Sequence, residues 1–324
     1  MSIPAPVLAI VVPCYNEQEV FAATERQLRE LVVRMSEEGL VSPLSYVAYV
    51  DDGSRDRTWE LIEEAALAHP GLDRGVKLGH NVGHQNALLA GLEAVERSCD
   101  AVVTIDADLQ DDVNAIPRMV EKYREGFEIV YGVRDSRDSD TWFKRNSARA
   151  FYLTMYRLGV ESVDNHADFR LMSRRAVVEL LKYKERNIFL RGVVPRIGLR
   201  QTQVVYDRRP REAGESKYPL RKMVNFAVDG ITSFSIKPVR MVFALGVVFV
   251  VIALFIFIYT LCRYFAGETI EGWTSLMLSI WFCTGVLLLG LGIIGEYVGK
   301  IFLEVKERPR YVVESLRGFD APEL

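Results

Sequence analysis

The 324-residue sequence predicts an α/β head built on a mostly parallel sheet, followed by two transmembrane helices. Three observations lead there. Apolar, β-branched runs alternate with helical patterns from Val7 to Gly132. The polar clusters Pro13–Glu17, Asp51–Ser54 and Asp106–Gln110 each follow one of those runs. Met241–Thr260 and Trp273–Gly295 contain no charged residue, and each reaches the roughly 20 residues a helix needs to cross a bilayer.

Val7–Val12 has the unbroken apolar character of a strand buried on both faces. A helical pattern follows from about Glu17 to Glu37, with Asn16 as the expected N-cap and Glu19 as its capping-box acid. Strand two is Leu44–Val50, then the turn Asp51–Ser54 and a helix over Thr58–Ala68. Val76–Leu78 is a short strand, Gln85–Arg97 a helix, Ala101–Ile105 a strand, Val113–Glu125 a helix and Ile129–Gly132 a strand. The alternation predicts helices on both faces of a parallel sheet.

Beyond Arg134 the pattern changes. Asp135–Asp140 reads as a polar loop and Trp142–Leu158 as helical. From Lys217 to Phe234, Leu220, Met223, Val224, Ala227, Ile231 and Phe234 recur at helical spacing. Two readings fit this amphipathic segment: a helix lying in the lipid interface, or one packed on the soluble head. The resulting partition is a head over 1–215, a juxtamembrane segment over 216–238, a transmembrane hairpin over 239–303 and a tail over 304–324.

Lys217, Arg221, Lys222, Lys237 and Arg240 precede the first span, and Lys300, Lys306, Arg308 and Arg310 follow the second. The connecting stretch has one Arg against two Glu, so the positive-inside rule predicts a multi-pass protein of the cell's inner (plasma) membrane, with the head and both termini cytoplasmic. The first residues lack a basic leader and a cleavage site. Four scattered cysteines without a C-x-x-C pair fit a reducing compartment and no zinc site, and a net charge of -3 argues against nucleic acid as a partner.

Asp, Gly, Ser and Asn are ordinary turn formers, so one polar cluster alone says little. Three at the carboxyl ends of parallel strands converge where open α/β sheets bind ligands. Asp106 and Asp108 stand two apart where the strand loosens into a loop, and such oxygen ligands suit Mg²⁺ or Mn²⁺ shared with a substrate phosphate. The competing reading is a solvated acidic loop that includes Asp111 and Asp112. No Walker-type phosphate loop occurs.

Six motifs in this order, Pro13-Cys-Tyr-Asn-Glu17, Asp51-Asp-Gly-Ser-Arg-Asp-Arg-Thr58, Asn81-Val-Gly-His-Gln-Asn-Ala87, Asp106-Ala-Asp-Leu-Gln-Asp111, Asp168-Phe-Arg-Leu-Met172 and Gly214-Glu-Ser-Lys-Tyr218, precede the two spans. The set resembles the polyprenyl-phosphate glycosyltransferases, family-two inverting enzymes of GT-A fold that include bactoprenol glucosyltransferases and dolichol-phosphate mannose synthases. The resemblance covers almost the whole chain.

It implies a nucleotide-sugar donor held by Pro13, Tyr15, Glu17 and Asp52, with Asp51 sharing the nucleotide role in a way the motif does not settle. Asp106, Asp108 and Gln110 are the implied metal ligands, with Asp106 also facing the donor and Asp108 counted as catalytic. Arg134 and Arg145 are the implied receivers of the lipid phosphate, through the planar guanidinium fork, although a surface salt bridge is the plainer reading of Arg145. Arg211, Ser216 and Lys217 resemble a segment that closes over the donor diphosphate. Asp168 belongs beside the sugar, orienting the acceptor or bonding a hydroxyl, with Arg170 next to it. His166 reads as structural or sugar-facing.

The implied reaction moves one hexose, glucose from UDP-glucose first, onto a polyprenyl (undecaprenyl) phosphate for cell-envelope glycan modification. GDP-mannose, UDP-N-acetylglucosamine and aminosugar donors stay open. A processive synthase would carry Q-x-x-R-W and more spans, and a non-catalytic nucleotide-sugar-binding scaffold would have little use for intact acidic ligands. Two spans cannot readily enclose a sugar pathway, so a separate flippase is expected. The resemblance also implies a homo-oligomer, with a tetramer among the forms.

Overall fold

The computed structural model describes residues 4–134, 166–185, 188–206 and 272–319, with single positions between 239 and 259. The chain divides into two compact units. One comprises Met1–Ala148, Ser162–Lys217 and Arg308–Leu324, and the other Arg149–Glu161 and Tyr218–Glu307.

The first unit holds one eight-stranded sheet. Its strands are β1 (Leu8–Cys14), β2 (Tyr46–Asp51), β3 (Asp73–Leu78), β4 (Ala101–Thr104), β5 (Ile129–Arg134), β6 (His166–Ser173), β7 (Gln201–Tyr206) and β8 (Val313–Arg317), in the order β7-β5-β6-β4-β1-β2-β3-β8. Every residue of β1, β2 and β4 is buried, as their apolar runs predict. The sheet is mostly parallel, as expected, with two antiparallel strands. β6 runs antiparallel between β4 and β5, and β8 runs antiparallel along β3. The expected tail thus supplies an edge strand.

The helices are α1 (Phe21–Glu37), α2 (Thr58–Ala68), α3 (His84–Val95), α4 (Ala115–Arg124), α5 (Arg174–Leu181), α6 (Leu190–Val193) and α7 (Trp273–Val305). Alternate β1 residues face opposite layers. Leu8, Ile10 and Val12 join Leu28 and Val32 of α1 and Met119 of α4 in the main core. Val11 instead meets α3 at Gly91, where an added Cβ would lie 2.5 Å from Val11 Cγ1 and 2.7 Å from Val50 Cγ2. Burying each such aliphatic side chain contributes about 1.5–3 kcal/mol.

The expected capping box is absent. α1 begins at Phe21 after Val20, and Asn16 has a left-handed φ of 56°. Its side chain is drawn elsewhere: Oδ1 accepts from the Arg55 N–H at 2.8 Å, while Ser54 Oγ accepts from its own N–H at 3.0 Å. Asn16 therefore joins the β1–α1 and β2–α2 loops instead of starting a helix.

In the second unit, α7 contains the expected span Trp273–Gly295 and continues to Val305. Among the described residues it is the one helix long and apolar enough to cross a membrane; its stretch Phe282–Val305 has a mean hydropathy of 1.9 and is 6% buried. Most of the other expected span, the loop 135–140, the helix 142–158 and the amphipathic segment lie outside the described residues. Cys14 and Cys99 are free and buried, Cys283 is free and exposed, and Cys262 lies outside the described residues.

Candidate active site

The parallel register brings three loops to one edge. Cys14 pairs with Asp51 at the carboxyl ends of β1 and β2, and β4 ends two residues before Asp106. Antiparallel β6 enters from the other direction. Because Thr104 pairs with Arg170 in antiparallel register, Asp106, two residues after Thr104, and Asp168, two residues before Arg170, come side by side. The Thr104 hydroxyl fixes this arrangement by donating to the Asp168 carbonyl.

The first two loops are stitched together. The Asp52 N–H donates to the Cys14 carbonyl at 2.9 Å, the Glu17 N–H to Thr58 Oγ1 at 2.9 Å, and the Gln18 N–H to Asp56 Oδ2 at 3.2 Å. At the turn, Gly53 has a φ of 65°, and a Cβ there would sit 2.6 Å from the His80 and Asn81 backbone. Only glycine satisfies both demands.

Asp51 and Asp52, indistinguishable in sequence, differ in structure. The Asp52 carboxylate accepts from the Val82 N–H at 2.7 Å and the Gly83 N–H at 3.0 Å, which anchors the loop entering α3. Asp51 Oδ1 accepts from the Ser54 N–H at 3.2 Å, and its buried Oδ2 has no hydrogen bond of ordinary geometry among the described residues. Burial raises the pKa of both above the ordinary carboxylate value. Pro13 is buried, Tyr15 is exposed and Glu17 is half-buried.

Asp106, Asp108, Asp111 and Asp168 make the third cluster strongly anionic. Partial burial and the neighbouring carboxylates Asp168, Asp111 and Asp108 raise the Asp106 pKa, with His84 opposing the shift; the Asp106 side chain, 45% exposed, stays open to solvent. Asp108 is exposed, and Leu109 beside it holds a left-handed φ of 43°. The buried Gln110 amide donates to Asp108 Oδ2 at 2.6 Å, and the Tyr206 hydroxyl donates to Asp111 Oδ1 at 2.5 Å. Asp106 and Asp108, two carboxylates on one loop with Asp108 exposed, offer the oxygen donors that a hard divalent ion takes.

Asp168 is treated differently. Arg170 Nη2 donates to its Oδ1 at 2.5 Å, Arg191 Nη2 to its Oδ2 at 3.1 Å, and His84 Nε2 lies 3.7 Å from Oδ2 and 3.5 Å from Asp106 Oδ1. Burial acts to raise the Asp168 pKa, but His84, Arg170 and Arg191 outweigh it and hold the carboxyl well below the usual range. Arg170 is 1% exposed, so it lies beneath the cleft and supports Asp168. Arg170, expected beside the sugar, is instead buried against Asp168, and two further residues the sequence reading missed join them. His84 sits inside the quoted Asn81–Ala87 motif, where an imidazole opening a helix beside an acidic loop was a usable signal. Arg191 carried none: it is placed by α6, whose Leu190 N–H donates to Gln85 Oε1 at 2.8 Å.

Arg134 closes β5, and its side chain lies outside the described residues, as do Arg145, Arg211, Ser216, Lys217 and the side chain of His166.

The mostly parallel sheet, its inserted antiparallel β6 and the acidic cleft define a GT-A-like glycosyltransferase. Residues 9–181 match Glycosyl transferase family 2. A Bacillus subtilis (strain 168) protein described as the uncharacterized glycosyltransferase YkoT is 52% identical over 309 residues, covering 95% of this chain and 91% of its own length. The bactoprenol glucosyl transferase of Shigella phage SfX is 36% identical over 316 residues, covering 95% of this chain and 99% of its own. Among solved structures, glucosyl-3-phosphoglycerate synthase from Mycobacterium tuberculosis is similar at 21% identity and a TM-score of 0.47, covering 71% of this chain and 79% of that one. The chain belongs to glycosyl transferase family 2.

Proposed function

We propose that this enzyme transfers one hexose from a nucleoside diphosphate sugar to a polyprenyl phosphate at the cytoplasmic face of a membrane, with inversion and with a divalent ion. Kinship with a bactoprenol glucosyl transferase over 95% of this chain carries the acceptor, and UDP-glucose is the first choice of donor on the same ground. The exposed, apolar α7 supports membrane attachment, and the uncharged run Met241–Thr260 supplies the second span of a hairpin.

Asp106 and Asp108 are the proposed ligands of Mg²⁺ or Mn²⁺, with Gln110 fixing the Asp108 carboxylate by its 2.6 Å bond. The ion would neutralise charge on the departing nucleoside diphosphate. Asp51, whose buried Oδ2 has no hydrogen bond of ordinary geometry among the described residues, is the better candidate for a nucleoside N–H or hydroxyl, with Pro13, Tyr15 and Glu17 beside it. Asp52 shapes that pocket through the Val82–Gly83 loop. Arg211, Ser216 and Lys217 remain the proposed cover of the donor diphosphate, and Arg134 and Arg145 the proposed receivers of the acceptor phosphate.

A lipid monophosphate has a second pKa near 6, so it reaches the cleft largely ionised and needs little general-base help. A carboxylate held ionised by two arginines and a histidine is in turn a weak base. Both arguments assign Asp168 to holding a sugar hydroxyl or screening the oxocarbenium-like centre, with Arg170, Arg191 and His84 positioning it.

The test is to incubate membranes containing the full chain with polyprenyl phosphate and a panel of labelled nucleotide sugars, with and without EDTA. Labelled lipid from UDP-glucose that disappears on chelation is the expected result. No labelled lipid from any donor would overturn the reading; labelling from another donor would reassign the sugar, and labelling that survives EDTA would remove the metal.

A further inference from the structure

A second set of ligating side chains lies away from the cleft. Glu25 of α1, His69 at the C-cap of α2 and Asp73 at the start of β3 each offer a ligand atom, and these atoms all lie within 4.8 Å of one another. Asp73 pairs with Val47, near the amino end of β2, whereas the cleft opens at the carboxyl end beyond Asp51. The cluster therefore belongs to the other side of the sheet.

Its charges are only partly balanced by protein. Asp73 is 0% exposed, and neither of its carboxylate oxygens has a hydrogen bond of ordinary geometry. The Tyr49 hydroxyl, on a residue also 0% exposed, lies against Asp73 and Glu25. Arg29 Nε donates to Glu25 Oε1 at 2.6 Å, and His69 Nε2 is 3.7 Å from that same oxygen. Both cationic groups contact Glu25 directly, and Arg29 reaches Asp73 only through space. A buried carboxylate beside a second carboxylate requires a cation or a proton.

We propose that Glu25, His69 and Asp73 bind a divalent first-row transition-metal ion, Zn²⁺ best, at a site separate from the transfer cleft. One imidazole nitrogen and two carboxylate oxygens form a mixed donor set suited to such an ion. Arg29 is its outer partner, orienting Glu25, and His69, at 36% side-chain exposure, leaves an entry path from solvent. The ion would tie α1, α2 and the start of β3 together, giving it a structural role.

The experiment uses the full chain in detergent, stripped with EDTA and titrated with Zn²⁺ alone, reading bound metal per chain and the thermal midpoint. Asp108→Asn serves as the background so that the cleft does not contribute. In that background one equivalent of Zn²⁺ should remain and raise the midpoint. Adding His69→Ala should weaken binding by more than the roughly 10–100-fold typical of losing an outer partner, and should abolish the midpoint rise. His69 is a partly exposed cap residue, and an unchanged zinc-free midpoint will show that its variant folds; Asp73→Asn repeats the test from a second ligand. Zinc binding that neither variant weakens, or no zinc bound in the Asp108→Asn background, would overturn the proposal and leave a proton shared between Glu25 and Asp73.

Discussion

Two buried carboxylates of the same sheet, Asp168 and Asp73, are handled in opposite ways. Asp168 is ringed by Arg170, Arg191 and His84, while Asp73 faces the carboxylate of Glu25 and the neutral hydroxyl of Tyr49. The first is a charge the protein has compensated in advance, on the cleft floor where a substrate arrives. The second is a charge left in part for something else to compensate. The contrast teaches that acidic composition alone does not define a site; the placement of the neighbouring cations does.

Substitution at Asp168 tests the compensated side and carries the largest expected effect. Asp168→Asn strips the counter-charge from the nearly inaccessible Arg170, so stability should fall by about 3–5 kcal/mol, read from denaturant unfolding. The sign with pH follows from the depressed folded value: the contribution is complete above the ordinary carboxylate value of 3.8 and is lost as pH falls through the lower folded value. The gap between wild type and variant should therefore hold down to about pH 4 once His84 is protonated, and shrink as pH rises above 6.5 and His84, whose pKa Asp168 raises, gives up its proton. A gap that closes at pH 5–6 would break the comparison by making Asp168 an ordinary carboxylate. Should Asp168→Asn keep nearly full turnover, its place beside the sugar goes with it.

Asp108→Asn comes next. It should slow transfer roughly 10²–10³-fold, or about 3–4 kcal/mol in the barrier, with little change in the unfolding midpoint because Asp108 is exposed. Equal transfer rates with and without the substitution would remove the acidic loop from the chemistry. Asp73→Asn should have the opposite sign from Asp168→Asn. In metal-free protein it removes a buried acid whose pKa burial and Glu25 push up to about 7, and should raise stability by roughly 1–3 kcal/mol. A fall of similar size would mean that Asp73 is compensated after all. The smallest effect belongs to the exposed pair Arg317–Glu63, at 2.8 Å: Arg317→Ala should change the thermal midpoint by no more than about 1 kcal/mol equivalent, and by less in high salt.

Much of the head was legible because burial on both faces leaves a mark that short windows can read. The runs at Val7–Val12 and Ala101–Ile105 became β1 and β4, and Thr58–Ala68 became α2 with the same bounds. Legibility failed where the decisive partner is distant in sequence. β6 carries a fully buried arginine and takes its direction from β4 and β5, so nothing local announces an antiparallel strand. Asn16 satisfies the capping pattern, yet its amide finds Arg55 across the loop. The acidic loop after β4 could be read from its sequence, whereas Glu25, His69 and Asp73 meet only once three elements have packed.

β8 carries a consequence for how the protein is made. Lys77 of β3 pairs with Ser315, and its ammonium meets Glu314 from 237 positions away, with residues 218–307 of the other unit intervening. During synthesis β3 is therefore an open sheet edge while the whole intervening stretch is translated. Ribosomes add about 5–20 residues per second, so that edge stays unpaired for roughly 10–50 seconds. A nascent chain is most exposed to mispairing in that interval, and its catalytic unit closes only after the apolar helix has left the ribosome.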